Sequence, residues 1–341
     1  MPIGRNLARR AAHICTTTGL ALSLALSLAL SLALALAPSP ASAQKGALRG
    51  ALERRRAARQ ADGGLDDGAD ALGHATIPAN VRVVREVAYG SDPKQRFDVY
   101  IPAGAANAPV VFVVHGGGWR TGDKAGRAVV ENKVAHWSRA GVIVISVNYR
   151  LLPQADPLEQ ARDVARALAA AQTRLPSWGG DPARVVLVGH SAGAHLVALI
   201  DADPALATSL GTKPWLGTII LDSAVLDVPA FMARPHLPLY TRAFGSDTAF
   251  WRAASPYDHV HAGMMPALVV CSSERHDSCP AAMRFVARAK QLGVRAEVLT
   301  QARSHREINE QLGAPGAYTD AVDRFLSSLE PGLARALGAA R

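Results

Sequence analysis

A serine in a tight, glycine-flanked turn is the first feature of this sequence that could do chemistry. The pentapeptide Gly-His-Ser-Ala-Gly, from Gly189 to Gly193, follows an apolar run at 185–188 and precedes a helical pattern over 191–201. Such a strand-to-helix turn holds its serine in a strained backbone conformation with the hydroxyl exposed. The helix start that follows favours developing negative charge. We predict that Ser191 is a nucleophile, and the alternative is a tight turn whose serine only caps the helix.

A glycine-rich loop follows an earlier apolar run, at 110–114. It reads His-Gly-Gly-Gly-Trp from His115 to Trp119. Backbone without side chains can approach a reacting carbonyl and aim N–H groups at the negative charge that forms in the transition state. We assign this oxyanion role to the N–H groups of Gly117, Gly118 and Ala192. A phosphate-binding loop is the alternative, but the Gly-x-Gly-x-x-Gly spacing and the Walker lysine are absent.

A serine nucleophile of this kind needs a base and an acid, which follow it in the order serine, acid, histidine. His305, the last histidine of the chain, follows the apolar segment 296–300 and is the predicted base. The acid is expected after the run 267–271, where Asp277 is the first choice and Glu274 the alternative. His305 would take the proton of Ser191 and Asp277 would orient His305, giving an acyl-enzyme. This chemistry needs no cofactor, and no metal-ligand spacing is visible in the sequence.

Alternating strand and helix patterns must position these residues. Runs that are apolar on both faces, typical of strands inside a parallel sheet, lie at 110–114, 142–147, 185–188, 216–221 and 267–271. Helical periodicity separates or follows them at 125–140, 157–172, 191–201 and 279–293. A hairpin at 83–89 and 96–101 precedes them, and a strand at 296–300 and a helix at about 317–329 follow. The pattern predicts an α/β fold with about eight strands in a mostly parallel sheet flanked by helices. Residues 227–258 break the alternation and are expected to form a small lid.

The two ends of the chain differ from this pattern. Residues 1–18 are basic and polar, 19–37 form an uncharged run of Leu, Ala and Ser, and 41–43 read Ala-Ser-Ala. These features predict a signal peptide over 1–43 and export to the periplasm or beyond. An uncleaved membrane anchor is the alternative, since 19 apolar residues are at the short end of what spans a bilayer. We expect a flexible linker at 44–80, a catalytic domain at 81–332 and a C-terminal tail at 333–341.

Charge and cysteine content limit the partners of the chain. The formal net charge is +9, but the basic residues are scattered apart from an arginine triplet at 54–56. Scattered charge without interleaved aromatics does not favour nucleic-acid binding, and no membrane contact is expected after removal of the signal. Cys271 and Cys279 bracket the predicted acid loop, and an oxidising compartment permits a disulfide between them. The alternative is a buried Cys271 thiol and a free Cys279.

With these motifs in hand, the chain resembles the α/β-hydrolases, in particular the branch of kynurenine formamidases (arylformamidases) and small carboxylesterases, near the hormone-sensitive-lipase-like esterases. The resemblance covers residues 89–329. It is carried by the stretches His115 to Trp119, Asn148 to Leu151, Trp178 to Pro182, Gly189 to Leu196 and Ser304-His305. It implies the α/β-hydrolase fold, a triad at Ser191, Asp277 and His305, and an oxyanion hole in the glycine loop. The loop 272–279 departs from the family's usual short Gly-x-x-Asp form.

These observations together predict a serine hydrolase that cleaves carboxylic esters of small or aromatic substrates. One alternative is arylformamidase-type hydrolysis of an N-formyl amide, although an export signal favours a general esterase over these generally cytoplasmic enzymes. An alternative from another class is a catalytically inactive binding module on a hydrolase scaffold. Aromatic residues that could line the substrate pocket are Trp119, Phe231, Phe244 and Trp251.

Overall fold

Eight largely apolar segments pair into one sheet in the computed structural model, which describes residues 75–339. The predicted signal peptide and most of the predicted linker lie outside these residues. The strands are β1 (Val81–Ala88), β2 (Arg96–Pro102), β3 (Ala108–Val114), β4 (Ile143–Val147), β5 (Gly180–His190), β6 (Gly217–Leu221), β7 (Ala267–Ser272) and β8 (Ala296–Gln301). Their spatial order is β1-β2-β4-β3-β5-β6-β7-β8. β2 is antiparallel to both β1 and β4, and all other neighbouring pairs are parallel.

The central strands are buried on both faces, which explains their unbroken apolar sequences. Every residue of β3, β4, β6 and β7 is buried. Successive side chains of a strand point to opposite faces. Along β3, Val110, Phe112 and Val114 therefore enter one hydrophobic core, whereas Val111 and Val113 enter a second core on the other face.

Helices cover both faces of the sheet. They are α1 (Arg127–Arg139), α2 (Pro157–Arg174), α3 (Ala192–Ala202), α4 (Pro204–Thr208), α5 (Val228–Met232), α6 (Pro238–Phe244), α7 (Thr248–Ala253), α8 (Pro256–His259), α9 (Ser278–Gln291), α10 (His305–Glu310), α11 (Ala317–Ser327) and α12 (Pro331–Ala339). Helices α2, α3 and α9 contribute to one core, and α1, α11 and α12 contribute to the other. The predicted hairpin, parallel strands and intervening helices are confirmed.

Two regions differ in detail from the sequence-based boundaries. The predicted lid consists of the four short helices α5 to α8, between β6 and β7. The predicted C-terminal tail is mostly the helix α12, whose Leu333 and Leu337 are buried. These leucines are four residues apart and so share one helix face, which packs into the same core as α11. Among the described residues, none of the helices combines the length and apolar character needed to cross a membrane.

Candidate active site

The turn between β5 and α3 holds Ser191 in the strained conformation that its sequence predicts. Ser191 has φ +55° and ψ −117°, a region that is costly for a residue with a side chain. Its N–H donates to the carbonyl oxygen of Leu221 at 2.9 Å, which ties the turn to the end of the neighbouring strand β6. A Cβ atom on Gly193 would lie 2.3 Å from the carbonyl oxygen of Val114. Only glycine fits there, because α3 starts directly against β3.

His305 is the first residue of α10 and is almost completely buried, with 1% of its surface exposed. A capping box fixes this helix start: the Ser304 hydroxyl accepts the Glu307 N–H at 3.3 Å, and the Glu307 carboxylate accepts the Ser304 N–H at 2.9 Å. The carbonyl oxygen of His305 accepts a hydrogen bond from Nε2 of His190 at 3.0 Å. Since His190 immediately precedes Ser191, the turn that carries the serine is attached directly to the residue predicted as its base.

The carboxylate that contacts His305 belongs to Asp222, at the carboxyl end of β6. Its Oδ2 lies 2.6 Å from Nδ1 of His305. Its Oδ1 accepts the backbone N–H of Ser272 at 2.8 Å and also the hydroxyl of Ser278. Both oxygens of this buried side chain are therefore held by donors from three different segments, which fixes the orientation of the carboxylate.

The structure gives Asp277 and Glu274, the two acids proposed from the sequence, other surroundings than those of Asp222. Asp277 precedes α9, and its Oδ1 pairs with Nη2 of Arg275 at 3.3 Å. Glu274 is exposed to solvent. In the turn after β7, the side chain that reaches Nδ1 of His305, at 2.9 Å, is that of Arg275.

Asp222 takes this position because β6 lies between β5 and β7, so that its end is next to both the serine turn and the loop after β7. A sequence signal for it does exist. Asp222 is the first polar residue after the apolar run 216–221, and it preserves the order serine, acid, histidine. The sequence analysis did not select Asp222, because it expected the acid one strand later.

Asp222 is held ionised by its surroundings. Burial by itself raises the pKa of the carboxyl group. The hydrogen bond of His305, the charge of Arg275 and the Ser278 hydrogen bond outweigh burial and lower the pKa well below its usual range. A carboxylate in this state accepts the Nδ1–H of His305 and leaves Nε2 as the basic nitrogen of the ring.

A cavity of about 190 Å³ opens onto Ser191. Its wall includes Asp222 and all three residues predicted for the oxyanion hole, namely Gly117, Gly118 and Ala192. The two glycines have φ of +114° and +57°, values that favour glycine. The structure thus brings the glycine loop, the nucleophile turn and the end of β6 to one cavity. Among residues 75–339, no group of His, Cys, Asp and Glu is arranged to hold a metal ion.

The aromatic residues singled out from the sequence occupy different positions relative to the cavity. Trp119 lines it, together with Leu239 and Tyr240 of α6. Phe244 and Phe231 stand behind them, with ring centroids 4.9 Å from Trp119 and 4.5 Å from Tyr240, respectively. The fourth, Trp251, donates its indole N–H to the carbonyl oxygen of Phe244 at 3.0 Å and does not border the cavity. The lid thus supplies part of the cavity wall.

A neutral histidine connects the wall of the cavity to the lid. His195 of α3 is fully buried, and this burial lowers its pKa to about 4. Its Nδ1 accepts the indole N–H of Trp119 at 3.4 Å, and its Nε2–H donates to the carbonyl oxygen of Ala254, after α7, at 2.7 Å. His195 is therefore assigned a structural role, and not that of a second base.

The structure pairs Cys271 with Cys279 in a disulfide, with an S–S distance of 2.06 Å and a Cα–Cα distance of 5.0 Å. The bond joins the end of β7 to the start of α9. It closes a loop that contains two partners of Asp222, namely Arg275 and Ser278. The disulfide therefore restrains the segment that orients the carboxylate.

We expect reduction of this disulfide, or the double substitution Cys271→Ala and Cys279→Ala, to lower the free energy of unfolding by about 2 kcal/mol, because the open loop gains entropy in the unfolded state. Thermal unfolding with and without a phosphine reductant measures the effect. The double variant is the control, since the reductant cannot change its Tm. If the oxidised and reduced wild-type proteins had the same Tm, the disulfide would not stabilise the fold.

Comparisons with known proteins agree with this architecture. The BD-FAE family model matches residues 97–210. A probable isoprenylcysteine alpha-carbonyl methylesterase of Oryza sativa subsp. japonica is 38% identical over 118 residues, which are 34% of this chain and 27% of that protein. The probable carboxylic ester hydrolase LipM of Mycobacterium tuberculosis is 38% identical over 97 residues, 28% of this chain and 22% of that protein. The chain thus spans about a quarter of the length of these curated relatives.

Similarity in three dimensions extends much further. The crystal structure of esterase B from Lactobacillus rhamnosus superposes with a TM-score of 0.64 at 19% identity, covering 87% of this chain and 98% of that one. The predicted resemblance to the arylformamidase branch in particular stays a prediction. The strand order, the parallel pairing and this structural neighbour show that the chain has the α/β-hydrolase fold.

Proposed function

We propose that the protein is a carboxylic-ester hydrolase in which Ser191, His305 and Asp222 form the catalytic triad. The observation that carries the proposal is the 2.6 Å contact between Asp222 Oδ2 and His305 Nδ1, in a protein whose Ser191 and Asp222 border one cavity. The esterase names of the sequence relatives support the reaction class. The substrate belongs to this proposal as well, and it is an ester of a small or aromatic acid.

The proton transfers follow from the hydrogen bonds of His305. Because the ring donates its Nδ1–H to Asp222, Nε2 carries no proton. Nε2 therefore takes the proton of Ser191 as the hydroxyl oxygen attacks the ester carbonyl. The imidazolium that forms is stabilised by the ionised Asp222. It then protonates the departing alcohol, which leaves the acyl group on Ser191. A water molecule, deprotonated by the same nitrogen, releases the acid and restores the serine.

Backbone N–H groups stabilise the negative charge on the carbonyl oxygen during both steps. We assign this role to Gly117, Gly118 and Ala192, which border the cavity next to Ser191. The N–H of Ser191 itself is already donated to Leu221. The start of α3 adds the partial positive charge of a helix N-terminus.

The size and lining of the cavity support a small acyl group. Its volume of about 190 Å³ is below the range of roughly 300–1,000 Å³ typical of sites for drug-sized ligands. Trp119, Leu239 and Val225 give it an apolar wall. Acetyl and butyryl esters are therefore expected to react with a higher kcat/KM than octanoyl esters.

A panel of matched substrates tests the proposal. Residues 44–341 are assayed with p-nitrophenyl acetate, butyrate and octanoate and with N-formylkynurenine, and mass spectrometry locates the adduct of a serine-directed phosphonate. We expect ester turnover and a single adduct on Ser191. A formyl amide that reacts much faster than the esters would overturn the ester assignment and keep the mechanism. A folded protein that neither turns over any substrate nor labels would indicate a binding module.

Substitution of Gly117 tests the oxyanion assignment. In Gly117→Ala the new Cβ would lie 2.1 Å from the carbonyl oxygen of Thr121, so the loop must shift. Loss of one oxyanion donor typically lowers kcat by about 10²- to 10³-fold, and we expect a loss in this range with little change in KM. Gly104→Ala is the matched control, because Gly104 also has positive φ (+73°) but has no atom within 4 Å of the new Cβ. Equal activities of the two variants would refute the assignment.

Export remains part of the proposal, because the predicted signal lies outside the described residues. The disulfide between Cys271 and Cys279 supports it, since such bonds persist mainly in oxidising compartments. Cells that express the full chain are fractionated, and the N-terminus of the recovered protein is sequenced. We expect to find the protein outside the cytoplasm, with Gln44 as its first residue.

A further inference from the structure

A buried arginine occupies the position after β7 where the sequence analysis expected the acid. Arg275 is only 4% exposed. Its Nη1 lies 2.9 Å from Oδ2 of Asp222 and 2.9 Å from Nδ1 of His305. Its Nη2 pairs with Asp277 at 3.3 Å. One guanidinium thus bridges two carboxylates and touches the proposed base, an arrangement that the mechanism above does not use.

The hydrogen-bonding capacity of arginine decides what these contacts do. A guanidinium only donates, and the Nδ1–H of His305 is itself a donor to Asp222. Both donors therefore converge on Oδ2 of Asp222, and the contact between Nη1 and Nδ1 places a positive charge beside the ring. Arg275 consequently fixes the orientation of Asp222 and at the same time disfavours a second positive charge on His305.

The charges around His305 show what Arg275 contributes besides its hydrogen bonds. Asp222 and Asp277 would otherwise be two buried carboxylates with one neutral imidazole, and their combined charge would bind a proton tightly on that imidazole. A protonated His305 cannot accept the proton of Ser191. Arg275 places one positive charge beside these two carboxylates and the ring, which favours the neutral imidazole.

We propose that Arg275 is a positioning residue that holds Asp222 against His305 and sets the pH at which His305 becomes a base. The inference rests on the proposed esterase function. His190 of β5 is another ionisable group near His305, with its ring centroid 4.5 Å away. Tyr318 of α11 donates its hydroxyl to the carbonyl oxygen of Ile308, and burial and the charge of Asp222 raise its pKa. On its own segment, Glu307 is engaged by Ser304 and Arg303 by Gln311. None of these groups is placed, as Arg275 is, between Asp222 and Asp277.

The test measures kcat and kcat/KM for p-nitrophenyl acetate as a function of pH. For Arg275→Gln we expect kcat to fall 10- to 100-fold and the acid limb of the kcat/KM profile to move up by about one pH unit, because loss of a nearby positive charge favours the imidazolium. The double variant with Arg275→Gln and Asp277→Asn also lacks a negative charge. We expect its acid limb to lie at lower pH than that of Arg275→Gln alone. Arg275→Lys keeps the charge, and its limb is expected to stay within about half a unit of wild type.

Arg242→Gln, which removes an exposed lid arginine, is the control and is expected to leave kcat and the limb unchanged. A folded Arg275→Gln variant with the wild-type acid limb would overturn the inference, whatever its kcat. If Arg275→Gln does not fold, the pH profile of the single variant Asp277→Asn tests the inference. We expect this variant to lower the limb while kcat stays within about tenfold, and an unmoved limb would equally overturn the inference. A wild-type protein without Ser191-dependent turnover would instead refute the proposed function.

Discussion

Ser191→Ala is expected to lower kcat for p-nitrophenyl acetate by about 10⁶-fold, the size of loss that follows removal of the nucleophile from a serine triad. Without the hydroxyl no acyl-enzyme can form, and only the oxyanion donors and substrate binding remain to accelerate the reaction. The loss should appear in kcat, with KM changed much less. Steady-state kinetics, corrected for spontaneous hydrolysis of the ester, measure it.

A second serine on the wall of the same cavity provides the matched control. Ser223 borders the cavity, and its hydroxyl accepts the N–H of Val225 at 3.3 Å. Ser223→Ala is expected to retain kcat within about tenfold and to label with a phosphonate, whereas Ser191→Ala should not label. Retention of more than a few per cent of wild-type kcat by Ser191→Ala would refute its role as nucleophile.

Asp222→Asn is expected to lower kcat by roughly 10⁴-fold, the loss typical when the acid of such a triad becomes an amide. The amide group of the new asparagine can donate to Nδ1, which favours the ring tautomer that carries its proton on Nε2. That tautomer cannot take the proton of Ser191. The amide also removes the negative charge that stabilises the imidazolium and pairs with Arg275. Measurement of kcat at saturating ester, together with circular dichroism, separates this loss from unfolding.

The same substitution at Asp277 distinguishes the structural assignment from the sequence-based one. Asp277 pairs with Arg275, whereas the carboxylate oxygen 2.6 Å from Nδ1 of His305 belongs to Asp222. Asp277→Asn is therefore expected to retain kcat within about tenfold. If Asp277→Asn were the more damaging change, the acid of the triad would be Asp277, as the sequence alone predicts.

Local patterns in the sequence determined the fold and predicted most of the residues that the structure places around the candidate site. Buried parallel strands need apolar residues on both faces, so the runs at 110–114 and 216–221 identified β3 and β6 without further information. The turn that carries Ser191 was equally clear, because a strained serine and a helix that starts against β3 require small residues at fixed offsets, as Gly193 shows. His305 was predicted because it is the last histidine and follows the last strand.

Contacts between segments far apart in the sequence could be decided only by the tertiary structure. Asp222 and His305 are 83 residues apart, and their pairing depends on the positions of β6, β7 and β8 in the sheet. The local pattern does not choose between Asp222, which directly follows β6, and Asp277, in the loop after β7, since both are acids that keep the order serine, acid, histidine. In the structure, the loop closed by Cys271 and Cys279 places Arg275 next to His305, and Asp277 pairs with this arginine. Which carboxylate lies at Nδ1 of His305 is therefore decided by packing between neighbouring strand ends, and a residue pattern along one segment does not contain that information.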